Sequence, residues 1–141
     1  MMKALALAAV MSSGCMLDEA PDVGAPLIGG CDNADSNPSV SVSFSQDVHP
    51  LMTRSMGGCT CHQGRQTSGL DISSYASLRR GGINSGANII IDNDPCSSIL
   101  VQKLGPTPPF GSRMPFNGPP YFTDDELQLI HDWIAEGALD N

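Results

Sequence analysis

The residues best suited to chemistry gather in Gly57-Gly58-Cys59-Thr60-Cys61-His62-Gln63-Gly64. A cysteine followed directly by histidine, with a second cysteine just upstream, suggests covalent c-type haem attachment. Two thiols add to the two vinyl groups, and the adjacent imidazole is delivered to the iron. Here one residue separates the cysteines, where the usual pattern has two. At i and i+2 the side chains diverge by about 200° on a helix and point to opposite faces of a strand. The motif alone therefore leaves Cys61 and His62 open to a second reading, as half of a disulfide and an exposed loop histidine. The chain has five cysteines. Beyond Cys15 the even set of Cys31, Cys59, Cys61 and Cys96 allows a haem pair plus a Cys31–Cys96 disulfide. It equally allows two disulfides in any of three connectivities. A soft Cu(I) site built from Cys59, Cys61 and a methionine is a further alternative.

Other polar and sulfur-bearing residues read as structural. Met52 and Met56 are placed in the core, and Met114 taken by itself is core filler. His49 reads as a capping or surface residue, and His131 as a packed or surface residue of a helix. Asp124, Asp125 and Glu126 supply negative charge to a helix N-terminus rather than an acid–base pair. No Ser-His-Asp order, glycine-rich phosphate loop or carboxylate pair is present, so the chain reads as a carrier or binder and not as an enzyme.

The elements that must position the Cys-His site are short. Ser45 is the expected N-cap of a first helix carrying Val48, Leu51 and Met52 on one face, with Pro50 confined to its first turn and Gly57-Gly58 beyond its end. A second helix is expected over about Ser73 to Arg80, before Gly81-Gly82. A third is expected from about Cys96 to Leu104, after Asp94-Pro95. Thr123-Asp124-Asp125-Glu126 is a capping box that opens the last helix. Its apolar stripe is Leu127, Ile130 and Ile134, widened by Leu129 and Trp133, and Gly137 is its C-terminal cap. The fold class is thus mainly α, with about four short helices joined by long Pro/Gly-rich loops.

Composition agrees with this. The chain has 141 residues, with 15 glycines, 11 prolines and 5% aromatic residues. A core so small needs a staple such as a disulfide, a metal or a covalent group. The net charge of −8 argues against nucleic-acid binding, which needs clustered basic residues. The N-terminus carries Lys3, an apolar run from Ala4 to Met11, and Ser12-Ser13-Gly14-Cys15. This resembles the lipobox of bacterial lipoproteins, which implies a signal peptide over residues 1–14 and lipidation at Cys15. Residues 15–41 read as a lipid-anchored flexible tether that Cys31 could pin, and residues 42–141 as the folded domain. The implied location is the bacterial cell envelope, in the periplasm or on the outer membrane, held to the membrane by lipid.

Five blocks extend the pattern: Phe44–Leu51, Ser68–Tyr75, Asp94–Leu104, Ser112-Arg113-Met114-Pro115 and His131–Ala138. In order and spacing they resemble the small c-type cytochrome domains of planctomycete and myxobacterial secreted proteins and lipoproteins, across about two thirds of the chain. The resemblance implies a cytochrome c-like fold around one covalent haem c, with His62 as proximal and Met114 as distal iron ligand. Cys59 and Cys61 would be the thioether positions, with Cys61 the preferred one. It implies single-electron transfer to a redox partner protein. The alternative is a non-haem, disulfide-stapled domain of the same shape that serves as a binding or scaffold module.

Overall fold

The computed structural model describes residues 30–34, 41–64 and 67–141. The signal-peptide and lipidation expectations, Cys15 included, lie outside these residues. Among the described residues four α-helices carry the fold: α1 (His49–Thr53), α2 (Tyr75–Arg80), α3 (Ile99–Leu104) and α4 (Asp124–Ala135). Single 3-10 turns at Thr60–His62, Thr67–Gly69 and Gly86–Ile89 punctuate the loops, and none of the described residues forms a β-strand. No described helix is long and apolar enough to cross a membrane. The expected class, short helices in a loop-rich chain, is what forms.

Two helix starts differ from expectation. The first cap is Ser43, not Ser45: Ser43 Oγ accepts the Gln46 amide at 3.2 Å, and Asp47 reaches back to the Ser43 amide at 2.9 Å. Between cap and α1 the chain is wound as a π-turn over Phe44–Val48, in which Val48 N donates to the Ser43 carbonyl at 3.2 Å. Pro50, which has no amide hydrogen to give, then falls in the first turn of α1. The third helix begins at Ile99 rather than near Cys96. Ser98 ahead of it is extended, and its hydroxyl is spent on Asp94 O and the Ile91 amide.

Helix α4 forms as its sequence dictates. Thr123 and Glu126 close the capping box reciprocally. At the other end Gly137, with φ of +98°, makes a Schellman turn: its amide donates to Ile134 O, and the Ala138 amide to Trp133 O. Leu127, Ile130, Trp133 and Ile134 are all buried. Phe44, Tyr75 and Trp133 stack as a triad with ring centres 5.4–6.5 Å apart. Trp133 Nε1–H and Tyr75 O–H are satisfied by the carbonyls of Leu139 and Ala138. Met52, Leu78 and Leu104 complete the interior beside the triad. The ends of the domain are laced together: the Phe44 amide donates to Asn141 Oδ1, and the Val42 amide to Glu136 Oε2.

Part of the expected tether is attached to the domain. Cys31 and Cys96 form a disulfide with a Cα separation of 5.4 Å across 65 residues of sequence. A cross-link closing a loop of that length is worth about 4 kcal/mol in the chain-entropy description. Asn33 adds two bonds, to the Asp94 carboxylate and from the Cys96 amide. A core this small gains the staple that its composition demanded.

Candidate functional site

The Cys-His segment is held against α1 by close backbone packing. The Cys59 amide donates to the Met52 carbonyl at 2.7 Å. A Cβ at Gly58 would sit 2.3 Å from Arg54 O and 2.9 Å from Met52 O, so only glycine permits this approach. One 3-10 turn later, His62 comes in from Cys59 with its amide on the Cys59 carbonyl. The His62 ring is buried, and its Nδ1 lies 3.0 Å from Thr67 O. A carbonyl can only accept, so Nδ1 carries a proton, and in the neutral ring Nε2 presents a lone pair. Backbone anchoring of one ring nitrogen is how proteins orient a metal-ligating imidazole.

His62 lines a partly open cavity of about 280 Å³, close to the lower end of small-molecule sites. Met114 lines it too, carried there by its amide on the Lys103 carbonyl at 2.8 Å. Apolar walls come from Met52, Leu70, Ile72, Ile89 and Leu100. Sequence-distant His62 and Met114 thus share one apolar chamber.

The two thiols part company. Cys59 is buried on the cavity wall; Cys61 is exposed and does not line it. Burial pushes the Cys59 thiol up to about 12, against a smaller opposing pull from Arg54, so it stays protonated at neutral pH. The divergence expected of an i, i+2 pair is what separates them. Among the described residues, Cys59, Cys61 and His62 do not gather as a set of metal ligands.

Lys103 is a site residue that the sequence reading missed. Its Nζ donates to Phe110 O at 2.6 Å and Ser112 O at 2.5 Å, and it lies 4.8 Å from the centre of the Phe110 ring. It reaches the cavity wall, and partial burial lowers its affinity for the proton. An ammonium has three N–H donors, and one remains beyond the two carbonyls. The only signal in the sequence was the i, i+4 relation of Ile99 and Lys103, which puts both on one face of α3.

Other histidines and methionines take structural places. His49 Nε2–H donates to Ile72 O at 3.1 Å beneath Phe44. Met52 is fully buried, whereas Met56, expected in the core, is 73% exposed because α1 ends at Thr53 and the chain turns away. Behind the site Arg54 forms an ion pair with Glu126, including an Nη2–Oε2 contact of 3.0 Å, and stacks 4.9 Å from the Phe122 ring. This ties the Cys-His segment to the start of α4.

No family model matches the chain, and no curated protein does. Among solved structures, Kuenenia stuttgartiensis hydrazine synthase is similar at 23% identity with a TM-score of 0.41. The alignment covers 70% of this chain and 16% of that one, so the chain spans less than a fifth of that neighbour's length. A likeness of this extent concerns the partial course of the backbone and says nothing of the site.

Proposed function

We propose that the chain is a small haem-binding electron-transfer protein, exported and lipid-anchored at Cys15, with His62 and Met114 as the two iron ligands. The observation that carries this is one apolar cavity lined both by a thioether side chain and by an imidazole whose other nitrogen is fixed on the Thr67 carbonyl. Haem iron supplies one-electron redox chemistry, and a Met/His ligand pair favours a raised potential. The residues present fit such a group. His62 and Met114 would hold the iron, and the apolar walls would pack against the macrocycle. Lys103 offers its third N–H to an acidic substituent of the cofactor. Covalent attachment would fall to Cys59, the thiol on the cavity wall, giving one thioether rather than two; this reverses the order of preference taken from the sequence. With an imidazole and a thioether both held by the iron, the group would supply electron exchange with a partner protein rather than catalysis.

The ligand assignment is tested with protein matured alongside haem-attachment machinery. His62→Ala is expected to abolish the low-spin spectrum, and Met114→Leu to keep the haem while lowering its potential. An unchanged low-spin spectrum in His62→Ala would overturn the assignment.

The apolar lining of the cavity supports one second reading, a binding module stapled by Cys31–Cys96 whose cavity takes an apolar ligand. A mature protein with this disulfide, two free thiols and no adduct would support it. The Cu(I) alternative is less well served, because burial keeps Cys59 protonated and so opposes thiolate ligation.

A further inference from the structure

A second cluster lies away from the cavity, where residues 30–34 meet α4. Cys31 Sγ, Cys96 Sγ and a ring nitrogen of His131 all lie within 4.8 Å of one another. His131 is only 6% exposed. Its Nε2 is 3.0 Å from the Asp32 carbonyl, while its Nδ1 is buried without a hydrogen bond, 3.8 Å from Asp132 Oδ1. An orphaned buried nitrogen costs about 1–3 kcal/mol, so its retention in a ring that lies beside two sulfurs calls for a reason. Cys31, Asp32 and His131 also border a small cavity of about 50 Å³, more than the space one water needs. Cys31 is at the surface, where a reductant reaches the disulfide.

We propose that Cys31, Cys96 and His131 form a redox-gated site for a thiophilic d10 cation, with Zn²⁺ as its representative. The closed disulfide is the metal-free state. A dithiol reductant transfers two electrons and two protons to the disulfide and is itself oxidised to a disulfide, leaving two protein thiols. The cation then binds both sulfurs and displaces the two thiol protons. Two thiolates and one imidazole are a familiar zinc donor set, with water as fourth ligand. Whichever ring nitrogen binds, the other has an acceptor nearby: Asp32 O at 3.0 Å from Nε2, or the Asp132 carboxylate at 3.8 Å from Nδ1. The metal replaces the covalent staple, so residues 30–34 stay on the domain in both states.

The test uses the full-length chain carrying Cys15→Ser, Cys59→Ala and Cys61→Ser, which leaves this pair as its only thiols. The chain is reduced with a phosphine and titrated with Co²⁺ and then Zn²⁺, with far-UV circular dichroism recorded throughout. One Co²⁺ per chain is expected, with a thiolate charge-transfer band that Zn²⁺ abolishes, and no band in the oxidised chain. His131→Gln, whose folding is checked in the oxidised form, is expected to weaken binding at least about tenfold. Absence of the band, binding by His131→Gln as tight as by the parent, or a reduced chain that unfolds and is not restored by Zn²⁺ would each overturn the proposal. None of these outcomes bears on the haem cavity.

Discussion

Replacing Gly58 by alanine tests how the Cys-His segment is held. The new Cβ would lie 2.3 Å from Arg54 O and 2.9 Å from Met52 O, both backbone atoms that cannot rotate aside. Relief requires the Cys59–His62 turn to move off α1, stretching the 2.7 Å bond from the Cys59 amide to Met52 O. Overpacking of this kind costs about 1–3 kcal/mol. In a domain of this size each kilocalorie lowers Tm by about 4–8 °C, so a drop of about 4–24 °C is expected. Gly105→Ala is the control. Its Cβ would meet only Val101 O and Gln102 O at 3.5 and 3.6 Å, ordinary contact, and φ is −72°. It should stay within about 0.5 kcal/mol of the parent. Thermal unfolding followed by circular dichroism, with the disulfide intact, compares the two. Equal melting temperatures for Gly58→Ala and Gly105→Ala would refute the claim that close backbone approach positions the site.

Two further outcomes follow from the side chains around it. Burial alone would raise Glu126, but the Arg54 guanidinium and the Thr123 amide outweigh it and hold the carboxyl below its ordinary range. A carboxyl depressed on folding stabilises above its unfolded pKa, and that stability is lost as pH falls through the folded value. The Tm gap between parent and Glu126→Gln should therefore be present at neutral pH and close in acid; a gap that persists unchanged at pH 2 would contradict the pairing. In the native chain without cofactor, iodoacetamide at pH 8 should label exposed Cys61 quickly and leave buried Cys59 unmodified until denaturant is added. Peptide mapping that finds both labelled at similar rates would contradict the placement of the two thiols.

What was legible in the sequence was local. The capping box, stripe and terminal glycine of α4 lie within about one helix length, and the helix follows from them alone. Ser43 is not legible as the cap, because a π-turn sets it two residues upstream of the α-helical register. Met56 lies outside the core because α1 ends at Thr53, and nothing in the residues before Gly57 marks that end. The disulfide was one of several pairings of equal standing, and only tertiary contact between the 30–34 segment and the start of α3 selects it. For the site, His62 and Met114 were brought together by resemblance rather than by pattern, and the structure places both on one cavity. The difference between Cys59 and Cys61, and the presence of Lys103, depend on which way a turn and a helix face, which residue spacing does not encode.

Haem attachment is decided by a pyridine haemochrome spectrum, with intact mass, on the mature protein made in a periplasm equipped for it. A covalent haem band at the position of a single thioether and a mass increased by one haem are expected. A spectrum without haem, and a mass two hydrogens below that of the reduced chain, would contradict it and leave a disulfide-stapled domain in its place.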